Sequence, residues 1–239
     1  MQTPSPPPKY SPKGDPSIPP FLQQIPIDPT TTLAYIKTEI SSIYAAAKIP
    51  ENIDEALNIE HDRYLKIYTA VFDYCTTTKK SKSAGWAVND RALYDFLDSE
   101  IQSYCKYMQG KVFGANNGDM DVIAARKTLA TYMSYYRTFE KVSSLVRSLV
   151  RFWDRHCLLR EWDLKKVRVS SVENLHHALW KEEVLGVGAG NSLEKKGLEE
   201  LVDAVAVLRE TEGGMSDYDL TLVKDVVKSL SVLDLTLES

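Results

Sequence analysis

The sequence predicts an all-α protein carrying a proline-rich N-terminal tail, and three observations predict it. Apolar residues recur at helical spacing from Thr30 almost to the C-terminus, no stretch shows the strict alternation of a half-buried strand, and ten of the eleven prolines fall within the first 29 residues. At 239 residues, 44% of them hydrophobic, the chain is long enough to bury a sizeable core.

Residues 1–29 read as a disordered or polyproline-like tail, because closely spaced prolines repeatedly interrupt backbone hydrogen bonding. Pro4 and Pro7 have PxxP spacing, which arises easily in so rich a tract. A first helix follows through Leu33, Ile36, Ile40, Ile43 and Tyr44, with Thr30, Thr31 or Thr32 as its cap. The second spans about Asn58 to Thr77. Its Tyr64, Leu65, Ile67, Tyr68, Val71, Phe72, Tyr74 and Cys75 fill roughly half of a helical wheel, wider than the stripe of an ordinary surface helix. Deep burial in the chain's own core explains such an arc; a waiting partner explains part of it. One edge, Ile67, Val71 and Tyr74, is expected in the core, with Val71 near the border, while Tyr64, Leu65, Tyr68 and Phe72 are expected to lie exposed.

A third helix runs from Asn89 to Gly110, which ends it, and a fourth from an Asp119 cap to about Glu140. The fifth, near Lys141 to Glu161, repeats the broad apolar arc with Leu145, Val146, Leu149, Val150, Phe152, Trp153, His156, Cys157 and Leu159, while Arg147, Arg151, Asp154 and Arg155 take the other half. Three more helices lie around Ser171 to Leu185, Ser192 to Thr211 and Ser216 to Leu233, separated by glycine-rich breaks.

A net charge of −4 and a pI near 5.7 argue against nucleic-acid binding. No apolar run is long enough to span a membrane and no signal peptide is evident, so the cytosol or nucleus is expected. Cys75, Cys105 and Cys157 are odd in number and far apart, which suits reduced core thiols. Gly186-Val-Gly-Ala-Gly190 lacks the preceding strand of a dinucleotide fingerprint and reads as a linker. Adjacent His176 and His177 point about 100° apart on a helix and cannot share a metal as an i, i+4 pair does. No catalytic residues, cofactor or metal site are nominated, and a helical scaffold or adaptor accounts best for the chain.

Three ordered motifs carry a family resemblance. Tyr64-Leu-Lys-Ile-Tyr-Thr-Ala-Val-Phe-Asp-Tyr-Cys-Thr76 resembles the second helix of the cullin N-terminal region, where a pattern close to Y-M-x-L-Y-T-x-V-Y-N-Y-C-T stands. Phe152-Trp-Asp-Arg-His-Cys-Leu-Leu-Arg160 is similar to the fifth-helix motif Y-L-N-R-H-W-V-x-R, with Arg155 and His156 matching outright. Val172-Glu-Asn-Leu-His-His-Ala-Leu-Trp180-Lys181 is similar to the segment that follows in cullins, which ends in Trp-Arg.

The resemblance implies a five-helix first cullin repeat over 30–161 and part of a second over 162–239. In the cullins this chain most resembles, helices two and five bind a Skp-type adaptor carrying an F-box receptor; a BTB-type adaptor is the alternative partner. Carried over, the contacts are Tyr64, Leu65, Tyr68, Val71, Phe72, Phe152, Arg155 and His156. Because the sequence ends at Ser239, before the domain that holds a RING protein in full cullins, this chain alone is not expected to recruit one. It would then be a short paralogue that occupies adaptors as a competitor, or a truncated product. Phe152, Asp154 and Cys157 stand where the family has Tyr, Asn and Trp. The last change removes either a contact or core volume. A helical-repeat tethering or structural protein is the alternative reading.

Overall fold

A computed structural model describes residues 28–48, 54, 57–77, 87–114, 120–158, 170–188, 196–211 and 214–236. The proline-rich tail, but for Asp28 and Pro29, lies outside them. Among the described residues there are helices and no strands: α1 (Pro29–Ala46), α2 (His61–Thr77), α3 (Ala87–Phe113), α4 (Val122–Leu149), a short α5 (Arg151–Trp153) that continues as a π-helical turn (Asp154–Leu158), α6 (Val172–Leu179) with a second π-helical turn (Trp180–Val184), α7 (Lys196–Arg209) and α8 (Asp217–Val232).

Local chemistry starts these helices. Asp28, rather than a threonine, caps α1: its carboxylate accepts the Thr31 N–H at 2.9 Å, and Pro29 fills the first position, where no N–H is needed. Asp121 caps α4 through the Ala124 N–H at 2.7 Å, so that the cap falls two residues beyond Asp119. Gly110 does not end α3. The helix runs on to Phe113, and Gly114 turns the chain, its N–H donating to the Gly110 carbonyl at 3.2 Å.

The largest departure from the sequence reading is at the fourth and fifth helices. The chain does not break at Glu140; α4 passes straight through it to Leu149. The interruption lies at Val150, whose N–H bonds the Val146 carbonyl and whose own carbonyl accepts the Asp154 N–H, both at 3.0 Å. The 28-residue α4 is the central post of the fold and packs against every other described α-helix. That placement explains its many buried positions, among them Leu129, Tyr132, Phe139, Val142, Val146 and Leu149.

One continuous core joins the first five helices to the last three. Trp180 lies at its centre, fully buried, with ring centroids 4.3 Å from Phe139, 5.6 Å from Tyr136 and 6.3 Å from Tyr132. Helix α7 approaches closely enough that a Cβ on Gly197 would fall 2.2 Å from the Val184 carbonyl oxygen. Cys75 and Cys105 are buried, and burial pushes the Cys105 thiol well above its ordinary pKa.

Helix α8 docks on α4 through a charged clamp. The Arg126 guanidinium forks onto the Asp219 carboxylate at 2.7 and 2.9 Å, and the cap residue Ser216 donates its hydroxyl to the same carboxylate at 2.7 Å while accepting the Asp219 N–H at 3.2 Å. Ser216→Ala is therefore expected to cost about 1 kcal/mol of stability, read from a urea transition, with no change in helix content at low denaturant.

Candidate functional site

The sequence places its candidate contacts on two segments, and the fold brings those segments together. Helix α2 packs against α1 on one side and α4 and α5 on the other. Its inward stripe is Ile67, Ala70, Val71, Tyr74 and Cys75, all buried. Val71 is thus a core residue and not a surface contact. It sits one turn beyond Ile67 and one before Cys75, and that i±4 register fixes it on the inward face.

The residues expected to be exposed separate into two groups. Phe72 stands out, with 41% of its surface accessible. Tyr64, Leu65 and Tyr68 are half-buried instead. Tyr64 packs on the core and its hydroxyl reaches the Ser148 carbonyl at 3.4 Å, and Tyr68 stacks on Tyr64 with ring centroids 6.4 Å apart and planes 11° from parallel. Tyr64 thereby becomes a bridge between α2 and the end of α4, with Tyr68 layered over it.

From α5, Phe152 meets Phe72 edge-on, with centroids 4.7 Å apart and planes 61° from parallel. One turn later the His156 ring lies with its centroid 4.6 Å from that of Phe152. Phe72, Phe152 and His156 therefore form a continuous aromatic ridge across two helices. The neighbouring Trp153, about 100° further round the helix, is fully buried, which fixes the rotation of α5 and leaves Phe152 half-buried at the edge of the core.

Two features set this segment apart. The helix widens into its π-helical turn at Asp154–Leu158, a local geometry frequent at functional sites. Asp154 accepts the Val172 N–H at 3.0 Å and so ties the turn to the start of α6. The contact spans 18 residues of sequence and had no local signal. Arg155 and His156 are exposed, and the Cys157 side chain lies outside the described residues.

The face offers apolar and cationic surface rather than a reacting constellation. Among the described residues no cluster of three or more His, Cys, Asp or Glu side chains is placed to hold a metal, and no helix is long and apolar enough to cross a membrane. His176, discounted above as a metal ligand, is fully buried between Val172 and Tyr44. The family model for the cullin α-solenoid domain matches residues 34–238. The chain belongs to the cullin family. The match runs from α1 through α8, so the aromatic ridge belongs to a cullin-type helical scaffold.

Proposed function

We propose that this cullin-family chain binds a Skp-type adaptor carrying an F-box protein, and that the ridge formed by Phe72, Phe152 and His156 is the centre of the contact. The observation that carries the reading is Phe72, a large aromatic left 41% accessible on a helix whose other apolar residues are buried or half-buried, in edge contact with a second aromatic from a different helix. An aromatic pair preassembled on rigid helices is the kind of anchor that dominates interface energetics, because little side-chain freedom is lost when a partner closes over it. Tyr64, Leu65 and Tyr68 extend the apolar surface along α2, and Arg155 supplies charge at its edge.

In this role the chain is a scaffold within a ubiquitin-ligase pathway and performs no chemistry itself. The test is capture by purified adaptors. The chain is expected to retain a Skp-type adaptor in complex with an F-box protein and to retain a BTB-type adaptor far less. If it captures neither under conditions in which a longer cullin binds its adaptor, the proposal is overturned.

A further inference from the structure

The aromatic ridge has two flanks of different charge. On the α5 side, Arg151 and Arg155 are exposed and are four residues apart, so they project from one side of the helix beside Phe152. Arg147, a further turn back, is held by Glu173 at 2.9 Å, whereas Arg151 and Arg155 make no ion pair among the described residues. The α2 flank is mixed: Asp62, Lys66 and Asp73 lie there, and partial burial raises the Asp73 carboxyl above its ordinary value. Overall the protein is acidic, with a net charge of −4, so a pair of guanidiniums without an ion pair among the described residues, next to the aromatic ridge, runs against the average surface.

We propose that Arg151 and Arg155 are a charge-selecting edge that admits a partner whose apolar patch is bordered by carboxylates, and that they act chiefly on the rate of association. This rests on the adaptor-binding reading above and adds to it the chemistry of the partner's rim. Guanidiniums pair with carboxylates in fixed, two-pronged geometry, so acidic residues on the partner would set its register over Phe152 and Phe72. At an exposed rim such pairs contribute little to final affinity but steer encounter, and their effect fades as salt shortens the range of the field. Selectivity follows from the same charges, since a partner with a basic border would meet like charge at the ridge.

The test measures association rates with a Skp-type adaptor–F-box complex at low and high ionic strength. It compares the full chain, Arg151→Glu/Arg155→Glu, and a control, Lys127→Glu/Lys224→Glu, that changes net charge equally at exposed positions away from the ridge. The Arg151/Arg155 variant is expected to associate about tenfold more slowly at low salt, with a flattened salt dependence, while the control stays within about twofold of the unaltered chain. Two results overturn the inference while leaving adaptor binding intact: an unchanged rate and salt dependence in the Arg151/Arg155 variant, or an equal loss in the control, which would assign the effect to net charge. Failure of the unaltered chain to bind overturns the adaptor reading and this inference with it.

Discussion

Replacing Phe152 by alanine is expected to lower affinity for the adaptor complex by at least about 2 kcal/mol, or roughly thirtyfold, and replacing Phe72 by a similar amount. Each ring is the other's support. Their centroids are 4.7 Å apart, so removing either takes away its own contact with the partner and frees its neighbour to move. Phe152 also packs on the core, and its loss combines a binding effect with some loss of stability. Phe72 separates the two. It is 41% accessible and does not belong to the packed core, so Phe72→Ala should shift the urea midpoint little while still losing affinity. Calorimetric titration of the two variants, with a denaturation curve for each, checks this. Affinities within about twofold of the unaltered chain for both would remove the ridge from the interface.

The helical class was legible in the sequence because it rests on a period repeated over some two hundred residues, which local exceptions do not disturb. The later helix starts were legible too: the helices expected from about Ser171 and Ser216 begin one residue on, and in the structure each serine caps its helix by accepting an N–H three residues on. What the sequence could not apportion was the width of an apolar arc. Both segments with an unusually broad arc invite a partner, but most of that breadth belongs to the fold itself. Val142, Val146, Leu149 and Val150 face several helices at once because α4 stands in the middle of the bundle, and a central helix needs apolar residues on nearly all sides. Apolar surface of this arc reaches solvent only in part, at half-buried Leu145 and, beyond the interruption at Val150, at half-buried Phe152. On α2 the same ambiguity placed Val71 at the border, when the contact with α4 and α5 draws it inside. The break at Val150 itself had no signature, since neither glycine nor proline marks it. Long-range ties such as Tyr64 to Ser148 and Asp154 to Val172 depend on which helices meet, a property of the assembled core.

Acidification from about pH 7 to pH 4 is expected to remove about 3 kcal/mol of stability through one side chain, His176. The ring is fully buried and both of its nitrogens are engaged, Nδ1 at 2.7 Å from the Val172 carbonyl and Nε2 at 2.7 Å from the Tyr44 hydroxyl. A carbonyl can only accept, so Nδ1 carries the proton, Nε2 is the acceptor, and Tyr44 donates to it. The neutral ring thus fills its site completely and joins α1 to α6. A second proton on Nε2 would face the Tyr44 hydroxyl in a pocket closed by Tyr44 and Phe139, and His177 adds a further opposing charge when it is protonated. Burial therefore lowers the His176 pKa from 6.5 to about 4. With a folded value below the unfolded one, the unfolded chain binds the extra proton first. The contribution is complete above the unfolded value, declines as pH falls through 6.5, and is spent near 4. The Asp219 clamp acts in a different window. Its carboxyl is held well below the usual range by Arg126 and then Ser216, so its stabilisation is lost only at pH below the ordinary carboxylate value. Urea transitions between about pH 7 and pH 4.5 stay above the window of the Asp219 clamp, and comparison with His176→Phe, which leaves the Tyr44 hydroxyl unpaired, assigns the histidine's share: the variant should show a flatter pH dependence. The imidazole resonances of His176 should also stay unchanged down to about pH 5. A transition in them near pH 6.5, or an equally steep loss of stability in the variant, would show that the ring is not held neutral by this packing.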